Sequence, residues 1–463
     1  MPELPEVETI ARILNPLIAG KKIADIRVLR PKNILTGAEE FVASLTGETF
    51  LEVTRKGKFL LFHLTRGQVV VSHLRMEGKY YEAKAGCLPS KHDILIYDFA
   101  DGSALRYNDV RKFGVLLLKS ETDALSTPPV AALGPEPWDL TPQKLLKGLR
   151  QKKKKPIKEA LLDQTLVSGL GNIYADEVLF AAKINPKTPA REITLPQCET
   201  LLQESRRILE LAIANGGSTI RSYHAKEGLT GKMQNNLLAY GRGNQPCSRC
   251  GFPLRKIALG GRGTVYCPAC QPLAGRPLLV GVTGPIASGK SAVAAYLAKK
   301  GYLRVDADAI VRSLYGKEEI RKAISALFGP KALKDGKVDK SYLLDLVSRS
   351  PQAKKALEAY VHPLVFAAIE KKIEATQAKR VVMDVPLLIG SPLQKECDLI
   401  ITILASKKAQ EARLSARGVD PQKSLALNRG WPQGAAKKAA GIVLDGSGDL
   451  PNLEKQLEAY KFL

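Results

Sequence analysis

The stretch that decides how this chain is organised runs from Cys247 to Ser291. It contains Cys247-Ser248-Arg249-Cys250, then Cys267-Pro268-Ala269-Cys270, and soon afterwards Gly284-Pro285-Ile286-Ala287-Ser288-Gly289-Lys290-Ser291. Two CxxC pairs sixteen residues apart suit one tetrahedral Zn²⁺ held by the thiolates of Cys247, Cys250, Cys267 and Cys270. Four thiolates leave no open coordination position, so the zinc is expected to be structural. The octapeptide follows the apolar run Leu278 to Val282 and precedes a helix-forming segment, the strand–loop–helix order in which backbone N–H groups surround phosphates. ATP binding is accordingly assigned to Gly284, Ala287, Ser288, Gly289, Lys290 and Ser291. Lys290 neutralises phosphate charge, and Ser291 is the expected ligand of a Mg²⁺ brought with the nucleotide.

Working outward, residues 272–277 are rich in Pro and Gly and read as a linker between independently folded halves. Beyond it, apolar strands near 278–282, 380–384 and 398–404 alternate with helical stretches, which predicts an α/β domain with a parallel sheet over 278–463. Before it, a zinc finger is expected over 241–271 and a helical domain over 131–240. Residues 1–125 carry short apolar runs such as Phe59 to Leu64 and Ile94 to Tyr97 between Gly and Asp-Gly turns, with one early helix at Glu6 to Leu17. That pattern predicts a β-sandwich or barrel.

The 463 residues carry 70 Lys and Arg against 46 Asp and Glu, a formal charge of +24 that both halves share. Such an excess fits polyanionic partners, which bind by releasing counterions, and equally a basic, soluble surface. Three cysteines outside the zinc set (Cys87, Cys198, Cys397) have no paired spacing, which points to a reducing, cytoplasmic compartment. Met1-Pro2-Glu3-Leu4-Pro5-Glu6 has neither the basic start nor the apolar core of a secretory signal, and no window reaches membrane-spanning length, so no membrane association is expected.

The opening Pro2-Glu3-Leu4-Pro5-Glu6-Val7-Glu8, the run Leu166 to Tyr174 (LVSGLGNIY) and the cysteine module together resemble formamidopyrimidine-DNA glycosylase over residues 2 to 271. The resemblance implies a β-sandwich, a helix-two-turn-helix domain and a four-cysteine zinc finger. It also implies excision of oxidised purines (8-oxoguanine, formamidopyrimidines) from double-stranded DNA, then cleavage of the abasic strand by β,δ-elimination. With Met1 removed, Pro2 is an amino-terminal secondary amine whose pKa near ~8 leaves free base to attack C1′ and form an iminium. Glu3 can supply a proton to the opening sugar ring. By resemblance Lys58 is a second acid acting in elimination, and Arg262 joins Pro2, Glu3 and Lys58 as catalytic. Met76, Arg111 and Phe113 match the side chains that fill the gap left by an extruded base. His73, His92, Lys154, Asn172 and Tyr240 match residues that grip DNA, as do Lys58 and Arg262. Gly169 and Gly171 suit a tight turn presenting N–H groups to a phosphate. The loop Ser222 to Met233 is where the base would be covered. Leu4, where a sister family with pyrimidine preference has glycine, favours oxidised purines.

In the second half, Val305-Asp306-Ala307-Asp308, Val361-His362-Pro363-Leu364 and Val382 to Leu388 (VMDVPLL) resemble dephospho-coenzyme A kinase over 278–460. The resemblance implies transfer of the ATP γ-phosphate to the 3′-hydroxyl of dephospho-coenzyme A, with Asp308 as base and Arg417 as a lid cation. The sequence departs from that family late. Gly390 stands where a glutamate is usual, and 430–441 lacks the usual polar groups of the lid. The alternative is a glycosylase with a nucleotide-binding but catalytically degenerate kinase domain.

Overall fold

Glu3 starts the first helix. Its extended backbone leads into α1 (Leu4–Ile18), its N–H donates to the Glu6 carboxylate at 2.9 Å, and Pro stands in the first turn. In this computed structural model, which describes residues 2–152, 154–218, 232–426, 428, 430–460 and 462, the chain forms two compact units. One comprises 1–243 and 256–266, the other 244–255 and 267–463.

In the first unit β1 (Ile23–Val28) and α2 (Ala38–Leu45) precede β2 (Phe50–Lys56), β3 (Phe59–Leu64), β4 (Gln68–His73), β5 (Lys79–Lys84), β6 (Asp93–Phe99), β7 (Ser103–Asn108) and β8 (Val115–Ser120). They make two antiparallel sheets of order β1-β6-β7-β5 and β2-β3-β4-β8. Alternation along β5 follows from one face meeting the core, and in β2 it is interrupted by a bulge between Phe50 and Glu52. The sheets face each other through Phe50 and Phe62 on one side and Tyr97 and Phe99 on the other, with Phe50 edge-on to Tyr97 at 5.4 Å. Val7, Ile10 and Leu14 of α1 join that core, which explains the apolar stripe of the first helix.

The rest of this unit is helical: α3 (Glu121–Ser126), α4 (Pro142–Gln151), α5 (Ile157–Leu161), α6 (Asn172–Ala181) and α7 (Leu195–Ala214). Thr141 and Thr194 accept N–H bonds as N-caps, each followed by Pro in the first turn. The hairpin β9 (Arg255–Leu259) and β10 (Arg262–Tyr266) turns at Gly260 and Gly261.

In the second unit β11 (Leu278–Thr283) leads into α8 (Lys290–Lys299), then β12 (Leu303–Asp306), α9 (Ala307–Tyr315), α10 (Glu318–Phe328), a small hairpin β13 (Leu333–Lys334) and β14 (Lys337–Val338), α11 (Lys340–Arg349) and α12 (Pro351–Glu374). β15 (Arg380–Asp384), α13 (Leu393–Glu396), β16 (Leu399–Leu404), α14 (Lys407–Ser415), α15 (Pro421–Ala426), α16 (Gln433–Ala439), β17 (Ile442–Asp445) and α17 (Leu450–Glu458) complete it. The five long strands form a parallel sheet, β12-β15-β11-β16-β17. Burial on both faces accounts for the unbroken apolar runs of β11, β15 and β16. Register aligns Asp384 with both Val282 and Asp306, so their carboxyl ends converge where the glycine loop leaves β11.

Candidate active sites

In the first unit the Glu3 carboxylate reaches the start of α6, where it accepts N–H bonds from Gly171 (2.8 Å), Ile173 (2.9 Å) and Tyr174 (3.3 Å). A Cβ on Gly171 would lie 2.2 Å from Glu3 Cδ, and one on Gly169 2.4 Å from Leu4 Cδ1. These glycines therefore let the amino terminus seat itself. The N–H groups expected to face a phosphate are already taken: that of Gly171 bonds Glu3, and that of Gly169 bonds Gln164 Oε1 at 3.0 Å. Burial pushes the Glu3 carboxyl up to about 7; Glu6 adds to this, while Lys58 and the backbone donors oppose it. Pro2, half-buried, immediately precedes it.

Lys58 sits in the turn between β2 and β3, 6 % exposed, and its Nζ donates to the Leu170 carbonyl at 2.7 Å. Burial lowers its pKa and the neighbouring Arg262 lowers it further, against the pull of Glu3 and Glu6. The turn is fixed by Glu136, which accepts from Gly57 N (2.8 Å) and Arg55 Nη1 (2.6 Å).

Arg262, exposed at the start of β10, is held by a buried ion pair. Lys158 Nζ lies 2.7 Å from Asp176 Oδ1, each about 1 % exposed, and also donates to Gly263 O and Thr264 Oγ1. Asp176 in turn accepts from Val265 N at 3.0 Å, which pins β10 against α6. Breaking a buried pair by removing one partner typically costs about 3–5 kcal/mol. Lys158→Met is expected to destabilise this unit by about that much, read by urea unfolding of Trp138 fluorescence in a Trp431→Phe background.

Met76, Arg111 and Phe113 come together. Arg111 Nη1 is 2.9 Å from Met76 Sδ and its guanidinium lies 5.1 Å from the Phe113 ring, while Met76 and Phe113 are 43 % and 54 % exposed. Their loop is built on Asp109, fully buried, which accepts from Arg111 N, Phe113 N and Gly114 N at 2.8–2.9 Å. Asn33 Nδ2 donates to the Lys112 and Gly114 carbonyls from the other side.

His73 ends β4, edge-on to Phe59 at 4.7 Å, and burial with Arg75 and Lys58 nearby depresses its pKa to about 4. It is therefore a neutral ring. His92 precedes β6 with its Nδ1 buried and unpartnered. Asn172 donates to Gly263 O (3.0 Å), Tyr240 is placed by Glu177, which accepts its N–H at 2.8 Å, and Lys154 is exposed after α4. Most of the expected covering loop, 222–231, lies outside the described residues.

In the second unit the four cysteine sulfurs lie within 4.8 Å of one another. Cys250 and Cys267 are 3.5 Å apart and Cys247 and Cys270 4.0 Å. Those separations are far beyond a disulfide and close to the ~3.8 Å edge of a tetrahedron with Zn–S near 2.3 Å, so the residues fit the ion.

The glycine loop of the same unit opens on a cavity of about 670 Å³ lined by Gly284, Ala287, Gly289, Lys290, Ser291, Asp308 and Arg417. Ala287 (φ 59°) and Gly289 (φ 111°) are left-handed, the curvature that turns backbone N–H groups inward. Lys290 Nζ donates to Pro285 O at 2.8 Å, and Ser288 Oγ is buried without a partner. Burial lowers the Lys290 pKa, against Asp384 and Asp308. The Asp308 carboxyl is raised by burial and by Asp306 and Asp384, which makes it a better proton acceptor. Gly390 is exposed, and Asn428 Oδ1 accepts the N–H of Ile286 at 2.8 Å.

Family models match the chain in four segments. They are the formamidopyrimidine-DNA glycosylase N-terminal domain (1–116), its H2TH domain (133–224), a zinc finger found in FPG and IleRS (244–273) and dephospho-CoA kinase (278–451). Formamidopyrimidine-DNA glycosylases of Exiguobacterium sp. and Ligilactobacillus salivarius are each 48 % identical, over 275 and 273 residues, covering 58 % of this chain and 99 % of theirs. The chain belongs to the formamidopyrimidine-DNA glycosylase family. A Lactococcus lactis FPG mutant in complex with a Fapy-dG containing DNA aligns with TM-score 0.56 and 45 % identity over 58 % of this chain and all of that one. This glycosylase and AP lyase therefore carries a dephospho-CoA kinase domain as a fusion. No helix among the described residues is long and apolar enough to cross a membrane.

Several residues that build the glycosylase and kinase sites escaped sequence reasoning. Glu136, Lys158, Asp176 and Glu177 act across large sequence separations, so no local spacing marks them, whereas Asp109 acts within its own loop. Asp384 lies inside a quoted motif, and only the sheet register brings it to Asp306. Arg413, one helical turn before Arg417, donates to the loop carbonyl of Ala287 at 3.0 Å.

Proposed function

We propose that the first unit excises oxidised purines, 8-oxoguanine and formamidopyrimidines, from double-stranded DNA and then cleaves the abasic strand. The observation that carries this is the Glu3 carboxyl, raised to about 7 beside Pro2 and electrostatically coupled to Lys58. Glu3 protonates the ring oxygen as the sugar opens. The Pro2 nitrogen bonds C1′ as the bond to the base breaks, and the base leaves with a proton. The iminium acidifies C2′, so loss of that proton expels the 3′-phosphate, and a second elimination expels the 5′-phosphate. Lys58, with a lowered pKa, exchanges protons in these steps. Arg262, His73, His92, Lys154, Asn172 and Tyr240 contact the DNA backbone, and Met76, Arg111 and Phe113 fill the gap in the stack.

The second unit phosphorylates the 3′-hydroxyl of dephospho-coenzyme A with ATP, in the cytoplasm. Asp308 takes the hydroxyl proton, while Lys290 and Arg417 face the transferring phosphoryl group. Ser291 would hold a Mg²⁺ brought with ATP, which would supply neutralisation of phosphate charge. A second reading, nucleotide binding without transfer, is favoured by the missing carboxylate at Gly390.

Borohydride reduction of the protein with an 8-oxoguanine duplex, followed by peptide mass mapping, tests the first assignment. The cross-link is expected on Pro2, and a cross-link on a lysine would overturn it. Incubation with Mg·ATP and dephospho-coenzyme A tests the second. Coenzyme A formation supports transfer, and ATP binding without product supports the second reading.

A further inference from the structure

The segment 272–277 reads in sequence as a tether, yet in the second unit it is fastened. Arg276 Nη1 donates to both oxygens of Asp398 at 3.1 and 3.2 Å, and its Nη2 donates to the Glu396 carbonyl. The same Asp398 carboxylate, 4 % exposed just before β16, accepts Arg255 Nη1 at 3.2 Å and the N–H of Leu279 in β11 at 3.0 Å. Arg255 Nη2 also donates to Lys395 O at 2.8 Å. One buried carboxylate thus joins the base of the zinc hairpin, the connecting segment and the strand that carries the glycine loop.

An apolar contact accompanies it. Phe252, fully buried, packs its ring 5.0 Å from that of Phe462 at the far end of the chain, which meets Tyr460 at 5.8 Å. Phe252 is bound to the zinc knuckle itself, because its carbonyl accepts the N–H of Cys247 at 2.9 Å. A Cβ on Gly441, just before β17, would lie 3.8 Å from Pro253.

We propose that the kinase unit bears an interaction surface, centred on Asp398 and Phe462, whose partner is the zinc knuckle of the same chain, so that zinc site and parallel sheet unfold as one body. Asp398 is desolvated and satisfied by two guanidinium groups, and a buried carboxylate stripped of such partners is strongly unfavourable. The aromatic contact adds apolar burial in which loss of the knuckle would open a cavity. The surface makes the zinc site part of the kinase fold, whether or not the kinase turns over.

The chain has two tryptophans, Trp138 in the first unit and Trp431 in the second, so full-length Trp138→Phe protein reports the kinase unit through Trp431 alone. Urea unfolding of the zinc-loaded protein is followed by Trp431 fluorescence and by a chromophoric chelator that captures released zinc. The two curves are expected to superimpose. Arg255→Ala, which removes neither a zinc ligand nor a residue of the parallel sheet, is expected to bring zinc release to lower urea by about 1 M, alone or together with the Trp431 transition. Phe462→Ala should act the same way from the kinase side. Curves already separate in the parent, or midpoints unmoved in both variants, would overturn the proposal.

Discussion

Glu3→Gln is expected to lower 8-oxoguanine excision by about 10²–10⁴-fold, the range general acid catalysis supplies, with duplex affinity largely kept. Glutamine retains one carbonyl oxygen, which can take the Oε2 place and accept from Gly171 and Tyr174, while its amide NH2 replaces the acceptor of Ile173 and cannot deliver the proton. The pH profile separates this role from a merely structural one. With the carboxyl at about 7 and the Pro2 amine needed as free base, excision by the parent should rise as Pro2 deprotonates, pass through a maximum and fall on the alkaline side, where Glu3 has lost its proton. That limb should vanish in Glu3→Gln. Single-turnover excision between pH 5.5 and 8.5 reads it, and an unchanged alkaline limb in the variant would remove Glu3 from the proton transfer. Strand cleavage at a preformed abasic site, which needs no base to leave, should suffer less.

Coenzyme A formation should fall by at least about 10²–10³-fold in Lys290→Ala, the loss typical when one preorganised group facing a developing charge is removed. Lys290 is 9 % exposed at the start of α8, and its Nζ rests on Pro285 O, poised over the cavity. The variant gives up charge that backbone N–H groups cannot replace, so ATP affinity should drop as well. Chromatographic assay of coenzyme A alongside equilibrium ATP binding distinguishes the two losses. Product at parental rate in the variant would mean that phosphoryl transfer in this chain does not run through the glycine loop. Glycosylase activity of the same preparation is the internal control for folding.

Much of the architecture can be read along the chain. The short apolar runs between Gly and Asp-Gly turns before residue 125 become the two sheets of the sandwich, and the unbroken apolar runs after 278 become a sheet covered on both faces. The compact units, however, do not divide at the Pro/Gly segment 272–277. The knuckle residues 244–255 and 267–271 pack with the kinase unit, while 256–266 pack with the helical one. Composition signals a turn-rich connection but carries no information about Arg276 finding Asp398 122 residues away. The N–H groups of Gly169 and Gly171 illustrate the same limit. Glycine correctly marked a close approach, but the approaching atoms belong to Gln164, Leu4 and Glu3 rather than to a phosphate.

Sequence by itself determined the chemistry held in contiguous or fixed-spacing residues: the four thiolates, the phosphate loop, and an amino-terminal Pro-Glu. Short-range geometry dictates these, since two CxxC turns or a strand–glycine–helix junction place their own atoms. Only the tertiary structure decided what those groups are able to do. The rise of the Glu3 carboxyl comes from burial against α6, some 170 residues along the chain, and the depression of Lys58 from the same desolvation with Arg262 beside it. Desolvation and Coulomb interaction act through space, and a linear sequence does not display the distances on which they depend.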